Sequence, residues 1–146
     1  MSFTYEYARP SLTVDVAVLR GQGVDTTLLL IRREKDPFAG RWALPGGFVE
    51  EGEKVEEGAR RELMEETSIS VGNLRQLGTY GDPGRDPRGW TVSVVFFTHE
   101  VDHHHQAAAG DDAAEVGWFS LMDPPPLAFD HAQILSDLRT RLGIQG

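Results

Sequence analysis

The chain has 146 residues, of which 40% are hydrophobic and 25% charged, with no cysteine and a net charge of −9. That length suits one domain over residues 1–146. The lack of cysteine removes disulfides and thiolate metal sites and fits a cytoplasmic setting. No apolar run approaches a membrane span, "MSFTYEYARP" lacks the pattern of a secretory signal, and so acidic a chain repels nucleic-acid phosphates. An anionic substrate then needs a local reversal of sign, from a divalent cation or a small arginine cluster.

In chain order, "LTVDVAVLR" (12–20) alternates and is β-branched, which predicts a strand. "GQGVD" is a turn, and "TTLLLIRR" (26–33) is a second strand in a hairpin with the first. "EKDPFAGRWALPGG" reads as a loop punctuated by proline and glycine. Residues 54–67 form a helix, 71–81 a polar strand and 82–89 a loop. "WTVSVVFFTHEV" (90–101) is the clearest buried strand, "DHHHQAAAGDDAA" a loop and "EVGWFSL" (115–121) a short strand. "DPPP" breaks the chain, and Asp130 caps a closing helix, 131–142, with Gly143 just past its end. Strands around one internal and one terminal helix predict an α/β fold, a mixed sheet covered on both faces.

The helix over 54–67 carries many glutamates. At about 100° per residue, Glu62 and Glu66 fall on the face of Val55, Ala59 and Ile69, while Glu56 and Glu57 fall opposite. An inward pair of carboxylates is costly to desolvate. A hard divalent cation resolves that cost, because magnesium takes oxygen ligands, keeps waters and bridges carboxylates to phosphates. The spacing of Glu62, Glu65 and Glu66 lets three carboxylates converge within one turn.

The segment resembles the Nudix box, G-x5-E-x7-R-E-U-x-E-E-x-G-U, with U a bulky aliphatic. Gly47, Glu53, Arg61, Glu62, Leu63, Glu65, Glu66 and Ile69 fill its positions in order, and Ser68 stands where the pattern has glycine. "RWALPGG" and "EVGWFSL" resemble the family's flanking strands. The resemblance implies an α/β/α sandwich and a metal-dependent hydrolase, using Mg2+ or Mn2+, of nucleoside diphosphates linked to another moiety. It implies Glu62 and Glu66 as the main metal ligands, Glu65 assisting, with the Gly46 carbonyl completing the site and Arg61 paired to Glu53. It also implies a possible homodimer. The Ser68 position serves the chain's exit from the helix, where positive φ is expected.

Other residues bear on the substrate. Arg85 and Arg88 sit on the proline-bearing loop "DPGRDPRGW", which resembles loops of the ADP-ribose pyrophosphatase branch. Arginine matches phosphate bidentately, although Asp82 and Asp86 could simply neutralise both. Trp90, Phe3 and Tyr5 are candidates to stack on adenine, and Arg32 or Arg33 to reach a phosphate. Glu115, near Asp111 and Asp112, stands where the family supplies a distal acid. "HHH" at 103–105 reads as a solvated loop rather than a zinc site. The favoured substrate is ADP-ribose, hydrolysed to AMP and ribose 5-phosphate. The alternatives are a nucleoside triphosphate pyrophosphatase and a catalytically weak nucleotide sensor, against which the intact carboxylates and the lack of room for an added helix-turn-helix both count.

Overall fold

The computed structural model describes residues 2–99, 107–110 and 113–144. His103–His105, Asp111 and Asp112 lie outside the described residues. The strands are β1 (Ser11–Arg20), β2 (Thr27–Arg33), β3 (Trp42–Ala43), β4 (Gly46–Phe48), β5 (Arg75–Tyr80), β6 (Thr91–Thr98) and β7 (Ala113–Ser120), and the α-helices are α1 (Val55–Thr67) and α2 (His131–Leu142). Among the described residues no helix is long and apolar enough to cross a membrane.

β1 organises the sheet. One edge runs parallel to β6 along eight residue pairs, from Ser11 opposite Thr91 to Val18 opposite Thr98. The other edge is shared. β4 pairs with its first half, Thr13 opposite Phe48 and Asp15 opposite Gly46, and β2 with its end, Leu19 opposite Leu28 and Arg20 opposite Thr27. The expected hairpin of the first two strands is therefore present but only two residue pairs deep. β2 pairs mainly with β7. β3 and β4 fall inside the segment expected to be a loop; at two and three residues they are too short to show a period in the sequence.

The alternation of β1 fills two cores. Val14, Val16 and Val18 pack with Leu29 and Phe96 beneath Ala59 and Leu63 of α1. Ala17 and Leu19 pack with Leu28, Leu30 and Phe97 beneath Ile134, Leu135 and Leu138 of α2. Burial on both faces explains why β1 reads as an almost unbroken apolar run, and it makes the expected α/β/α sandwich.

α1 carries Glu56 and Glu57 in its first turn, where the helix dipole favours negative charge. It ends at Ser68, whose φ of 63° and ψ of 17° are left-handed and whose N–H donates to the Met64 carbonyl. The last turn is held from outside: Ala108 N–H donates to the Thr67 carbonyl at 2.8 Å and Gly110 N–H to the Glu66 carbonyl at 2.9 Å. A Cβ on Gly110 would lie 1.8 Å from the Glu65 carbonyl oxygen, so only glycine allows this approach. At α2, Asp130 occupies the N-cap position without bonding to the helix through its side chain, contrary to the expected cap. Gly143 closes the helix at a φ of 69°.

Ser68→Gly relieves a left-handed serine. Stability should rise, by up to about 1 kcal/mol, with the fold unchanged. A melting temperature that falls by several degrees would show that the serine side chain stabilises this exit.

Candidate active site

Two glycines set β4 in place, Gly46 against β1 and Gly47 against α1. A Cβ on Gly46 would lie 2.0 Å from the Val14 carbonyl oxygen, and one on Gly47 would lie 2.5 Å from the Glu62 carboxylate. β4 therefore passes close under α1, and the Gly46 N–H donates to Glu66 Oε1 at 2.8 Å. Glu66 is 8% exposed. Its burial raises its pKa to about 8, with repulsion from Glu62 and Asp15 adding and the Gly46 N–H and Arg33 opposing. Burial also raises Glu62, while hydrogen bonding and attraction from Arg61 pull the other way.

Arg61 organises the acids. Its Nε donates to Glu53 Oε2 at 2.8 Å and its Nη2 to Glu53 Oε1 at 3.1 Å, so the pair that the family resemblance implies is present and two-pronged. Nη1 reaches Glu62 at 2.8 Å and Glu65 at 3.2 Å, and Nη2 also donates to the Phe48 carbonyl at 2.9 Å. Glu53 is lowered, chiefly by its bond to Arg61, and Arg61 is held firmly protonated.

The carboxylates that Arg61 and the Gly46 N–H hold on α1 line one side of a cavity of about 550 Å³, while Arg61 and Glu53 are not among its lining residues. Gly46, Gly47, Glu62, Glu65 and Glu66 form that side. Asp15, Arg33, Arg85, Arg88, Phe129 and His131 are among those facing it. The expected convergence of three carboxylates is not found: among the described residues no group of three or more His, Asp or Glu is arranged to hold a metal. Glu65, although it lines the cavity, accepts from Arg61, and Glu66 accepts from the Gly46 N–H. What remains are desolvated carboxylate oxygens with raised proton affinity. Such hard donors suit a divalent ion that keeps several waters rather than one caged by protein.

Arg85 does not pair with Asp82. Its Nε and Nη2 donate to the two oxygens of Asp130 at 2.9 and 2.7 Å, and its side chain is only 5% exposed. Arg88 pairs with Asp86, as the neutralising alternative had it, at 2.8 Å. Arg32 and Glu115 stand opposite each other across β2 and β7 and bond at 2.7 Å. Neither is among the residues lining the cavity; Arg33, one residue on, is. Trp90, Phe3 and Tyr5 are exposed and also lie outside the lining.

Asp15 and His131 were not singled out in the sequence. Asp15 accepts a hydrogen bond from the Ser93 hydroxyl, and its other oxygen lies 3.8 Å from His131 Nε2. His131 Nδ1 accepts from the Leu44 N–H at 3.1 Å, and burial lowers its pKa. The signals were there: one acid inside an apolar strand, and a histidine on the apolar stripe of Ile134, Leu135 and Leu138.

The family model described as NUDIX domain matches residues 9–138. The chain belongs to the Nudix family. It is 44% identical over 131 residues to the ADP-ribose pyrophosphatase of Methanocaldococcus jannaschii, covering 90% of this chain and 74% of that protein. It is 35% identical to the ADPR responsive transcriptional repressor NtrR of Acinetobacter baylyi, covering 94% of this chain and 56% of that one. The NUDIX domain of Shewanella oneidensis NrtR, solved in complex with ADP ribose, superposes with a TM-score of 0.83 at 34% identity, over 93% of this chain and 90% of that chain. The same Shewanella protein has been solved with a 27mer DNA; this chain covers 61% of that one, with 90% of its own length aligned, a TM-score of 0.71 and 34% identity. The exclusion of nucleic acid drawn from net charge therefore does not extend to these relatives. The chain is a Nudix hydrolase of the kind that includes ADP-ribose pyrophosphatases.

Glu66 binds its proton more tightly folded, at about 8, than at its ordinary value of 4.5. Its contribution to stability is therefore full below about 4.5 and is lost as pH rises through about 8. With a chelator present, Glu66→Gln should match the parent near pH 4.5 and exceed it above pH 8, by on the order of 2–4 kcal/mol. Unfolding at several pH values measures this, and identical pH slopes would mean that Glu66 ionises freely in the folded protein.

Proposed function

We propose that the protein hydrolyses ADP-ribose to AMP and ribose 5-phosphate with the help of Mg2+ or Mn2+. The observation that carries this reading is a pair of desolvated carboxylates, Glu62 and Glu66, lining one cavity together with Arg85. Similarity to the Methanocaldococcus jannaschii ADP-ribose pyrophosphatase, and to a NUDIX domain solved with ADP ribose, supports the choice of substrate. The absence of cysteine accords with action in the cytoplasm.

Glu62 and Glu66, with Glu65 and the Gly46 carbonyl assisting, would hold the cation, which when bound polarises phosphoryl oxygens and acidifies water. Water attacks one phosphorus of the diphosphate, the bridging P–O bond breaks, and the bridging oxygen leaves with the other phosphate. A carboxylate of this cluster takes the proton released by the water. Arg61 and Glu53 act indirectly, by fixing where Glu62 and Glu65 can point. Arg85, pinned by Asp130 through Nε and Nη2, offers the diphosphate a guanidinium that is already oriented.

A second reading, a sensor that binds ADP-ribose without turning it over, is favoured by similarity to the Acinetobacter baylyi repressor. A panel of ADP-ribose and nucleoside triphosphates with magnesium, scored by coupled phosphate release, separates these readings. Turnover of ADP-ribose is expected; tight binding with no turnover would favour the sensor.

Glu62→Gln and Glu66→Gln should each lower kcat by about 10²–10⁴-fold, the scale for loss of a positioned charge or base, while the exposed Glu56→Gln stays near the parent rate. Equal damage from Glu56→Gln would contradict the inward face of α1. Arg85→Lys keeps the charge but loses the fork, and should reduce kcat/KM for ADP-ribose by about 1–3 kcal/mol in transition-state binding. Unchanged kcat/KM would leave Arg85 as a structural partner of Asp130.

A further inference from the structure

His131 is the first residue of α2 and is buried, yet it lines the cavity, and the reaction gives it no part. Its Nδ1 accepts the Leu44 N–H at 3.1 Å, from 87 positions away in sequence. A ring nitrogen that accepts carries no proton. The imidazole is therefore neutral, and its one N–H is Nε2, on the side of Asp15 Oδ1 at 3.8 Å.

The backbone that it holds is short. Leu44 and Pro45 lie between β3 and β4, outside both ladders. Leu44 is 2% exposed, so its N–H is shielded from water and needs a partner in the protein. Proline has no N–H to offer, and the Pro45 carbonyl accepts from the Val16 N–H at 2.9 Å. Gly46 follows directly, and its N–H is the donor to Glu66 Oε1. The imidazole thus holds one end of a stretch of three residues, and Glu66 meets the other end.

The place of the ring is fixed from outside that stretch. Trp42 of β3 donates its N–H to the Pro126 carbonyl at 3.1 Å, and its own carbonyl accepts from the Ala128 N–H at 2.8 Å. The His131 N–H donates to the Ala128 carbonyl at 3.1 Å. Asp130, one residue before, grips Arg85. The start of α2 is anchored to β3 and to the β5–β6 loop before its histidine reaches Leu44. Without an acceptor here, the buried Leu44 N–H loses its partner, and the stretch shifts to find another, taking Gly46 with it.

We infer that His131 is a positioning residue: by accepting the Leu44 N–H it sets Gly46, and through the Gly46 N–H it sets the Glu66 carboxylate that would hold the cation. The role of the cation rests on the proposed function; the placing of Gly46 does not. A histidine that merely satisfied a buried donor would stabilise the fold and leave the affinity for a cation alone. One that places Gly46 and Glu66 governs that affinity in the folded protein, as outer partners of a metal site do.

Two substitutions separate these roles. His131→Asn places an acceptor where Nδ1 stands, and His131→Phe keeps a ring and removes the acceptor. Mn2+ alone, with no nucleotide, is titrated into the parent and both variants at a temperature where circular dichroism shows each fully folded, and free Mn2+ is read by electron paramagnetic resonance. Amide spectra of the metal-free proteins follow the Gly46 N–H. His131→Phe should weaken Mn2+ by about tenfold or more, and His131→Asn by less than about threefold. The Gly46 amide should move in His131→Phe and hold in His131→Asn. His131→Gln, whose acceptor lies one bond further out, replaces His131→Phe with the same expectation if the latter does not fold. Parent-like Mn2+ affinity in folded His131→Phe, or an unmoved Gly46 amide, overturns the inference. So does an equal loss in His131→Phe and His131→Asn, since the ring rather than its acceptor would then matter. A parent that binds no Mn2+ removes the cation of the proposed function, and the Gly46 amide alone then decides the inference.

Discussion

Everything at this site depends on one guanidinium. Arg61 lies within 4 Å of four carboxylates, those of Glu50, Glu53, Glu62 and Glu65. Such a cluster on a loop and one helix face would push apart if left to itself. A lysine could offer charge but not the fork that grips Glu53 while reaching Glu62. The same side chain bonds the Phe48 carbonyl, so glycine strand, acidic loop and helix α1 are tied through it. Glu66 lies outside these contacts. It is held instead by the Gly46 N–H, and it is the carboxylate whose proton affinity rises most clearly.

The positive side of the cavity is built differently. Arg85 and Arg88 are each matched by an aspartate before any ligand arrives, so they add little net charge to an acidic protein. Their value lies in direction. A guanidinium fixed by Asp130 or Asp86 has lost its rotamer freedom at folding, and a ligand that meets it does not have to bear that entropy. The Arg85–Asp130 pair also fastens the loop between β5 and β6 to the N-cap residue of α2.

The sequence made some of this plain and hid the rest for physical reasons. The inward placement of Glu66 and the outward placement of Glu56 and Glu57 follow from helical period alone. The left-handed exit at Ser68 follows from its place in a recognised motif. Long strands were legible because burial leaves a period; β3 and β4 are too short to carry one, although β4 bears the glycines on which the site turns. Partner choice was the least legible. In one dimension Asp82 and Asp86 are the natural partners for Arg85, and only the fold brings it Asp130, 45 positions away. Arg32 and Glu115 are cross-strand neighbours bonded to each other outside the cavity lining, a pairing that only the register of β2 and β7 reveals.

The divided edge of β1 has a wider consequence. A sheet covered by helices normally separates two compartments that share no solvent. Here β4 runs for only three residues beside β1 before the chain turns away. Gly47 faces one helix and Phe48, the next residue, faces the other layer. The cavity therefore draws the glutamates of α1 from one compartment and Asp15, Phe48 and His131 from its opposite. Each half rests on a hydrophobic cluster of its own, so a substitution under one helix leaves the packing beneath the other in place.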